Sequence, residues 1–244
     1  MTSGGRPSEP GILYLVSVPI GHLDDLTLRA IRTLREADLI ASEDPAATRL
    51  LLSHHDIDTA LTSYGPANLK EKVAVLLQRL RQGAHIALVS DCGSPVIDDP
   101  GRLLVDAAHH HGIRVVPVPG PSALTAAVAA SGRALDSFLF LGTLPETGSG
   151  IRRCLLTWQR TRVPAVAFCT PTSLERALHA IAEITPLAPL VLACNLTKPE
   201  EVIMRGTARQ LRRRLAQAFP VLDVTLILSG GRTAGKKRGG KKRK

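Results

Sequence analysis

Short aliphatic and β-branched runs alternate with stretches of helical periodicity along the whole chain. That alternation argues for an α/β fold with a largely parallel sheet in at least its first half, because parallel strands need crossover helices between them. Ile12 to Val18 reads as a first buried strand, and Asp24 or Asp25 can cap a helix from about Leu26 to Ala37. Leu39 to Ser42 is a second strand. Helices from about Ala46 to His54 and Ala67 to Gln82 then precede a strand over His85 to Ser90. Leu103 to His111 is helical, Gly112 stops it, and Ile113 to Val118 returns to the sheet. A small-residue helix after Pro121 closes the first lobe, and a smaller α/β unit begins near Asp136. Its strands are expected near Phe138 to Leu141, Ala165 to Cys169, Pro189 to Cys194 and Val224 to Leu228. The expected organisation is a disordered N-terminus (1–10), an N-terminal lobe (11–135), a C-terminal lobe (136–231) and a basic disordered tail (232–244).

A chain of 244 residues, 44% of them hydrophobic, can bury one large core or two modest ones. Its apolar runs are too short to span a bilayer and no secretory pattern opens it, so a cytoplasmic protein without a membrane partner is expected. The net charge of +10 is local: residues 232–244 carry eight Lys and Arg with no acid, and the other 23 basic residues nearly balance 21 acids. Such a tail cannot bury apolar surface, but it can neutralise phosphates without reading sequence. Cys92, Cys154, Cys169 and Cys194 are widely spaced and form no zinc pattern, which predicts reduced and mostly buried thiols. The three consecutive histidines from His109 point around a helix end, so no metal is expected.

Three loops stand directly after strands. They are Ser17-Val18-Pro19-Ile20-Gly21, then Ser90 to Gly101 with two Gly, two Pro and three Asp, and Pro119-Gly120-Pro121-Ser122-Ala123. In an open α/β sheet, ligands bind where strand carboxyl ends meet helix starts, because loop amides there are free of the ladder and glycines let a ligand approach the backbone. Their shared topological position outlines a cleft.

These segments carry a resemblance. Leu15 to Gly21, Asp25 to Ala30, Ala37 to Ile40 and Ser42-Glu43-Asp44, followed by the two later loops in order, resemble the tetrapyrrole methylase superfamily. Glu43-Asp44, Thr48-Arg49, Leu51 to His54, Asp99-Pro100-Gly101, Leu196-Thr197-Lys198 and Arg205-Gly206-Thr207 are most similar to its branch that methylates a cytidine 2′-OH in small-subunit (16S) ribosomal RNA. The resemblance covers nearly all of residues 11–231. It implies a two-lobed fold holding S-adenosylmethionine in the cleft between the lobes, a homodimer, and the small-subunit RNA or the 30S particle as partner. Pro19, Cys92, Gly93, Ser94, Ile97, Ser122 and Ala123 would contact the cofactor from the first lobe, and Phe168, Cys169 and Asn195 from the second. Arg49, Lys198 and Arg205 would meet RNA, with Lys236, Lys237 and Arg238 of the tail. A 2′-OH is a poor nucleophile until its proton is accepted, which makes Glu43, Asp44 and Asp91 the carboxylates to weigh as a general base.

The chain also departs from that branch. Pro45-Ala46-Ala47 stands where a basic pair is usual, Cys169-Thr170-Pro171-Thr172-Ser173 replaces a Glu-Ser-Pro-His-Arg segment, and Cys194-Asn195 replaces Arg-Glu. Tyr64-Gly65-Pro66-Ala67-Asn68 lacks an expected His and Glu. The losses fall on the substrate side, where the basic tail could compensate. They keep two rivals in view: methylation of a corrin or other small acceptor, and a non-catalytic RNA- or ribosome-associated module that retains the cofactor pocket.

Overall fold

Burial of alternate residues on both faces of strands three to five residues long gives the first sheet its form. In the computed structural model, which describes residues 9–65, 69–216 and 222–229, the first unit comprises the described residues up to Ala126 together with Leu196–Pro199. Its strands are β1 (Ile12–Val16), β2 (Leu39–Ser42), β3 (Leu61–Ser63), β4 (Ile86–Val89) and β5 (Arg114–Val118). All pairings are parallel, in the order β3-β2-β4-β1-β5. Every residue of β2 and β4 is buried, the continuous apolar pattern of a sheet covered on both sides.

The two-residue period sorts the helices. Val16, Ile40, Ala87 and Val89 pack against α1 (Leu28–Glu36) and α2 (Pro45–His54). Leu13, Leu39, Ile86 and Leu88 face the other way, toward α3 (Leu69–Arg81) and α4 (Arg102–His110). The helix that follows β1 therefore lies on one face and the helix that follows β4 on the opposite face. Adjacent strands whose connections leave to opposite faces open a crevice at their carboxyl ends, and here that crevice lies between β1 and β4.

Local chemistry sets the helix starts. Thr27, in extended conformation, caps α1 by accepting from Ala30 N at 3.1 Å. Asp24 and Asp25, expected in that role, instead occupy a short 3-10 turn, and Asp24 pairs with His54 at 2.9 Å. Pro45 takes the first position of α2 behind its cap Asp44, where a missing N–H costs nothing. The expected helix start at Ala67 lies outside the described residues, as do Lys236, Lys237, Arg238 and the rest of the basic tail.

The second unit comprises Ala127–Asn195 and the described residues from Glu200 onward, so the division falls inside α5 (Ala123–Ser131). Its strands are β6 (Leu139–Thr143), β7 (Ala165–Cys169), β8 (Leu190–Cys194), β9 (Val202–Gly206) and β10 (Val224–Leu228), in the order β6-β7-β10-β8-β9. Only β6 and β7 run parallel; β10 is antiparallel to β7 and β8, and β8 to β9. The helices α6 (Gly148–Thr161), α7 (Pro171–Ile184) and α8 (Ala208–Leu215) cover one face, burying Leu155, Trp158, Leu178 and Leu211 against Ala167, Leu192 and Leu226. No helix among the described residues is long and apolar enough to cross a membrane.

Candidate cofactor and substrate site

The carboxyl edge of the first sheet holds all three loops, and side chains and backbone lock them together. Val16 on β1 is level with Val89 on β4 and Val118 on β5, so Ser17, Ser90 and Pro119 leave the sheet side by side. Val18 N donates to Gly93 O at 2.8 Å, a one-residue ladder between the first and second loops. The Ser17 and Ser94 hydroxyls lie 2.9 Å apart, and Ser94 Oγ also reaches Pro121 O of the third loop at 3.5 Å. Within the second loop, Ser90 Oγ donates to Gly93 O at 3.1 Å.

Glycine is required at the centre of this junction. Gly93 has φ +77°, and a Cβ there would come within 3.4 Å of Ile20 Cγ2 and 3.8 Å of Ser122 Cα. Gly120 packs against Ser17, with 3.0 Å between the place a Cβ would take and Ser17 Cβ. Of the residues expected at the cofactor, Pro19, Gly93, Ser94, Ser122 and Ala123 thus share one small region, with Pro19 and Gly93 buried. Cys92 is exposed on the same loop with its thiol directed at Ile20 O, and Ile97 is 45% exposed. Gly21 is closed in by Thr197, Leu196 O and Lys198, and His22 N donates to Thr197 Oγ1 at 3.0 Å, which fixes Lys198 beside the first loop.

Carboxylates gather at the same edge. Ser42 ends β2 beside β4, so Glu43 and Asp44 emerge next to Ser90 and Asp91. Asp44 spends one oxygen on Ala46 N and Ala47 N, the cap of α2, and Asp91 Oδ1 accepts from Asp44 N at 2.8 Å. Glu43 makes no side-chain hydrogen bond among the described residues. Partial burial pushes its carboxyl up from the ordinary range, and the charges of Asp91 and Asp99 add to that. Asp99 is raised too, chiefly by burial; amide bonds from Gly101 and Val96 oppose this and Asp91 reinforces it. The sequence places Asp99 in the second loop without singling it out beside Glu43 and Asp91; an acid two residues before a helix cap was the available signal. Tyr64, fully buried at the end of β3, has its hydroxyl pushed up to about 12 by burial. Arg49 is exposed on α2.

The second-unit residues meet at one edge of their own sheet. Val224, which begins β10, is level with Cys169 and with Cys194, so Phe168, Cys169 and Asn195 flank the entry to that strand. Burial pushes the Cys169 thiol up to about 12 and the Cys194 thiol to about 11, which keeps both protonated. Asn195 Oδ1 accepts from Leu222 N at 2.9 Å and Asp223 N at 3.3 Å, holding the approach to β10. Phe168 stacks edge-on against Phe140 at 5.0 Å. The segment that replaces Glu-Ser-Pro-His-Arg is a helix start: Thr170 and Ser173 form a reciprocal capping box around Pro171. Arg205 lies on β9 and Arg212, Arg213 and Arg214 are exposed on α8.

Known proteins resemble this chain in sequence and in fold. The family model described as tetrapyrrole (corrin/porphyrin) methylases matches residues 12–212. A protein of Thermotoga maritima named ribosomal RNA small subunit methyltransferase I is 40% identical over 220 residues, covering 90% of this chain and 99% of its own. One of the same name from Mesorhizobium japonicum is 42% identical over 215 residues, 87% of this chain and 72% of that one. Among solved structures, diphthine synthase superposes with a TM-score of 0.71 at 16% identity, covering 90% of each chain. Cobalt precorrin-4 methyltransferase gives 0.64 at 19% identity, covering 90% of this chain and 94% of that one. At those identities the structures speak for the fold alone, whereas the family model and the relatives settle descent: this chain belongs to the tetrapyrrole methylase family.

Proposed function

We propose that the chain is an S-adenosylmethionine-dependent methyltransferase that methylates the ribose 2′-OH of a cytidine in small-subunit (16S) ribosomal RNA. It would work in the cytoplasm as a homodimer. The observation that carries the reading is the convergence of three interlocked loops at the β1–β4 crevice, beside Glu43, Asp91 and Asp99. Relatives named for small-subunit ribosomal RNA over nearly the whole chain support the acceptor.

The residues present suit the donor. Gly93 leaves a hollow that a Cβ would fill, bordered by Ile20 and Ser122, and Ile97 offers exposed apolar surface nearby. Three carboxylates at the edge favour a cation, and the bound donor supplies its methyl on a positively charged sulfur. Pro19, Cys92, Gly93, Ser94, Ile97, Ser122 and Ala123 would hold it. Loops fixed to one another by the Ser17–Ser94 contact would bind the donor without reorganisation, and positioning is the main contribution of a protein to such a transfer.

The three carboxylates weighed as a base divide by their partners. Asp44 is spent on a helix cap and Asp91 on Asp44 N, which leaves Glu43 to accept the 2′-OH proton. Its raised proton affinity suits that role, since a base works best with a pKa near the operating pH. Lys198 beside the first loop, Arg49 and Arg205 would meet RNA phosphates. Mapping ribose methylation in small-subunit RNA from cells with and without the gene tests the reading: one 2′-O-methyl cytidine should disappear. An unchanged map would overturn it. Methylation of a corrin, or donor binding without transfer to undermethylated 30S particles, would establish a rival instead.

A further inference from the structure

At the edge of the second sheet opposite Cys169 and Asn195, a cavity of about 890 Å3 opens where β7 and β8 begin and β10 ends. Its volume is within the range of small-ligand sites. Two arginines line it, Arg133 and Arg162, together with the hydroxyl residues Thr185 and Ser229 and an apolar wall that includes Pro164 and the 86%-exposed Leu187. Among the described residues, no acidic side chain lines it. Neither arginine has an ion-pair partner among the described residues, in contrast to Arg152, which is paired with Glu183 at 2.8 Å.

Two further observations point to an anion, and a third makes Arg162 a clean position to test. Among the described residues, the two buried side-chain polar atoms without a hydrogen-bond partner are Arg133 Nε and Ser229 Oγ, and both belong to this cavity's wall. Buried polar groups are rarely left so, and an anionic oxygen accepts from both kinds of donor. A third guanidinium is close by: the space a Cβ on Gly132 would fill is taken by the side chain of Arg205. Finally, Arg162 closes α6 in the left-handed region, φ +58°, where glycine is favoured and a long side chain is strained.

The chain supplies its own argument about what fills the cavity. Ser229 stands in the wall, and the next fifteen residues carry eight Lys and Arg and no acid. Like charge disfavours that tail as the occupant, and an anionic polymer complements both the cavity arginines and the charge of this part of the chain. We infer that this cavity is a docking site for the sugar-phosphate backbone of single-stranded RNA, with Arg133 and Arg162 neutralising phosphates and the apolar wall taking ribose or base. It rests on the reading of RNA as substrate and adds a second anchoring surface, built on the second sheet.

The test uses the full chain and a fluorescein-labelled oligouridylate, with affinity measured across a salt series. Arg133→Ala and Arg162→Gly should each lower affinity several-fold and reduce the salt slope by roughly 0.7 per lost phosphate contact. Arg133→Lys should restore most of the slope, and Arg81→Ala, an exposed charge on α3, should change neither quantity beyond the loss of one distant cation. Arg162→Gly removes the charge and relieves the left-handed residue, so it should melt at or above the parent temperature while binding RNA more weakly, a combination misfolding cannot produce. Slopes equal to the parent in both cavity variants overturn the inference, as does displacement of the RNA by oligoglutamate at equal charge concentration, which would mark an acidic protein partner. Methyl transfer to 30S particles, followed in the same variants, separates the two claims. Transfer by the parent with unaltered salt slopes sinks the cavity alone, and cavity-dependent RNA binding without any transfer sinks the enzymatic reading alone.

Discussion

Each unit of this molecule builds a five-stranded sheet, yet the two sheets distribute their chemistry differently. In the first, every strand points the same way, so every carboxyl end and the loop that follows it arrive at one edge, and the crossover reversal between β1 and β4 opens a crevice there. In the second, β10 runs against β7 and β8. Strand starts and ends therefore alternate along each edge: Cys169 and Asn195 gather at one, and Arg133, Arg162 and Ser229 at the other. Shared strand polarity concentrates a site, whereas mixed polarity leaves two edges available for separate work.

The sharpest way to break this comparison is to hollow out each sheet at its centre. Leu88→Ala and Leu226→Ala, both fully buried, should each cost about 2–5 kcal/mol in urea denaturation. Leu88 Cδ2 lies 2.9 Å from where a Cβ on Gly101 would sit, so it props the second loop from beneath. Only the Leu88 variant should then also weaken donor binding by calorimetry under conditions where both are folded. Equal losses of donor affinity would show that the first edge is not where the donor is held.

Next in size, Glu43→Gln should slow methyl transfer by about a hundredfold or more with donor affinity little changed, the scale of a lost general base. Asp44→Ala, one residue along, should instead cost about 1 kcal/mol of stability through a lost helix cap and leave most of the rate. Single-turnover assays with undermethylated 30S particles would separate the two, and a reversed order would move the proton acceptor from Glu43 to Asp44.

The loop lock sets a smaller effect. Ser17→Ala and Ser94→Ala should each lower donor affinity by about fivefold, near 1 kcal/mol, and the double variant should lose less than the sum because both remove one contact. Strict additivity in calorimetric titrations would mean that the two hydroxyls act independently.

Smallest is the effect of pH through Asp99. Burial raises its folded-state pKa above the unfolded value, so the folded protein holds that proton more tightly. The group therefore favours folding in acid, and its contribution is lost as pH rises through the unfolded and then the folded pKa. Asp99→Asn should melt slightly above the parent at neutral pH, with the gap closing as the solution is acidified into the carboxylate range. A gap that widens in acid would reverse the sign of the burial argument.

How much of this was legible depended on signal length. Ala165–Cys169 and Val224–Leu228 emerge from sequence with their observed bounds because each is a compact five-residue run of apolar and β-branched residues. β3 has three residues and β9 contains Arg205 and Gly206, so neither stands out by pattern, and both hold their places through neighbours in the sheet. Capping shows the same limit: Asp24, Asp25 and Thr27 are all eligible by type, and the pairing of Asp24 with His54, thirty residues away, is invisible locally. The loss of basic residues after Asp44 and Cys169 reads as a weakened substrate side in sequence, yet both segments are well-formed helix starts.

The sequence by itself determined the α/β alternation, the three loops that follow strands, and the family to which those loops belong, since all are carried by residues within a few positions of one another. Only the tertiary structure decided which carboxylate is left without a hydrogen bond, that Asp99 joins Glu43 and Asp91, and that Arg133, Arg162 and Ser229 share a wall. Those facts depend on strand register and crossover direction, which bring together residues dozens of positions apart and are set by the packing of whole sheets.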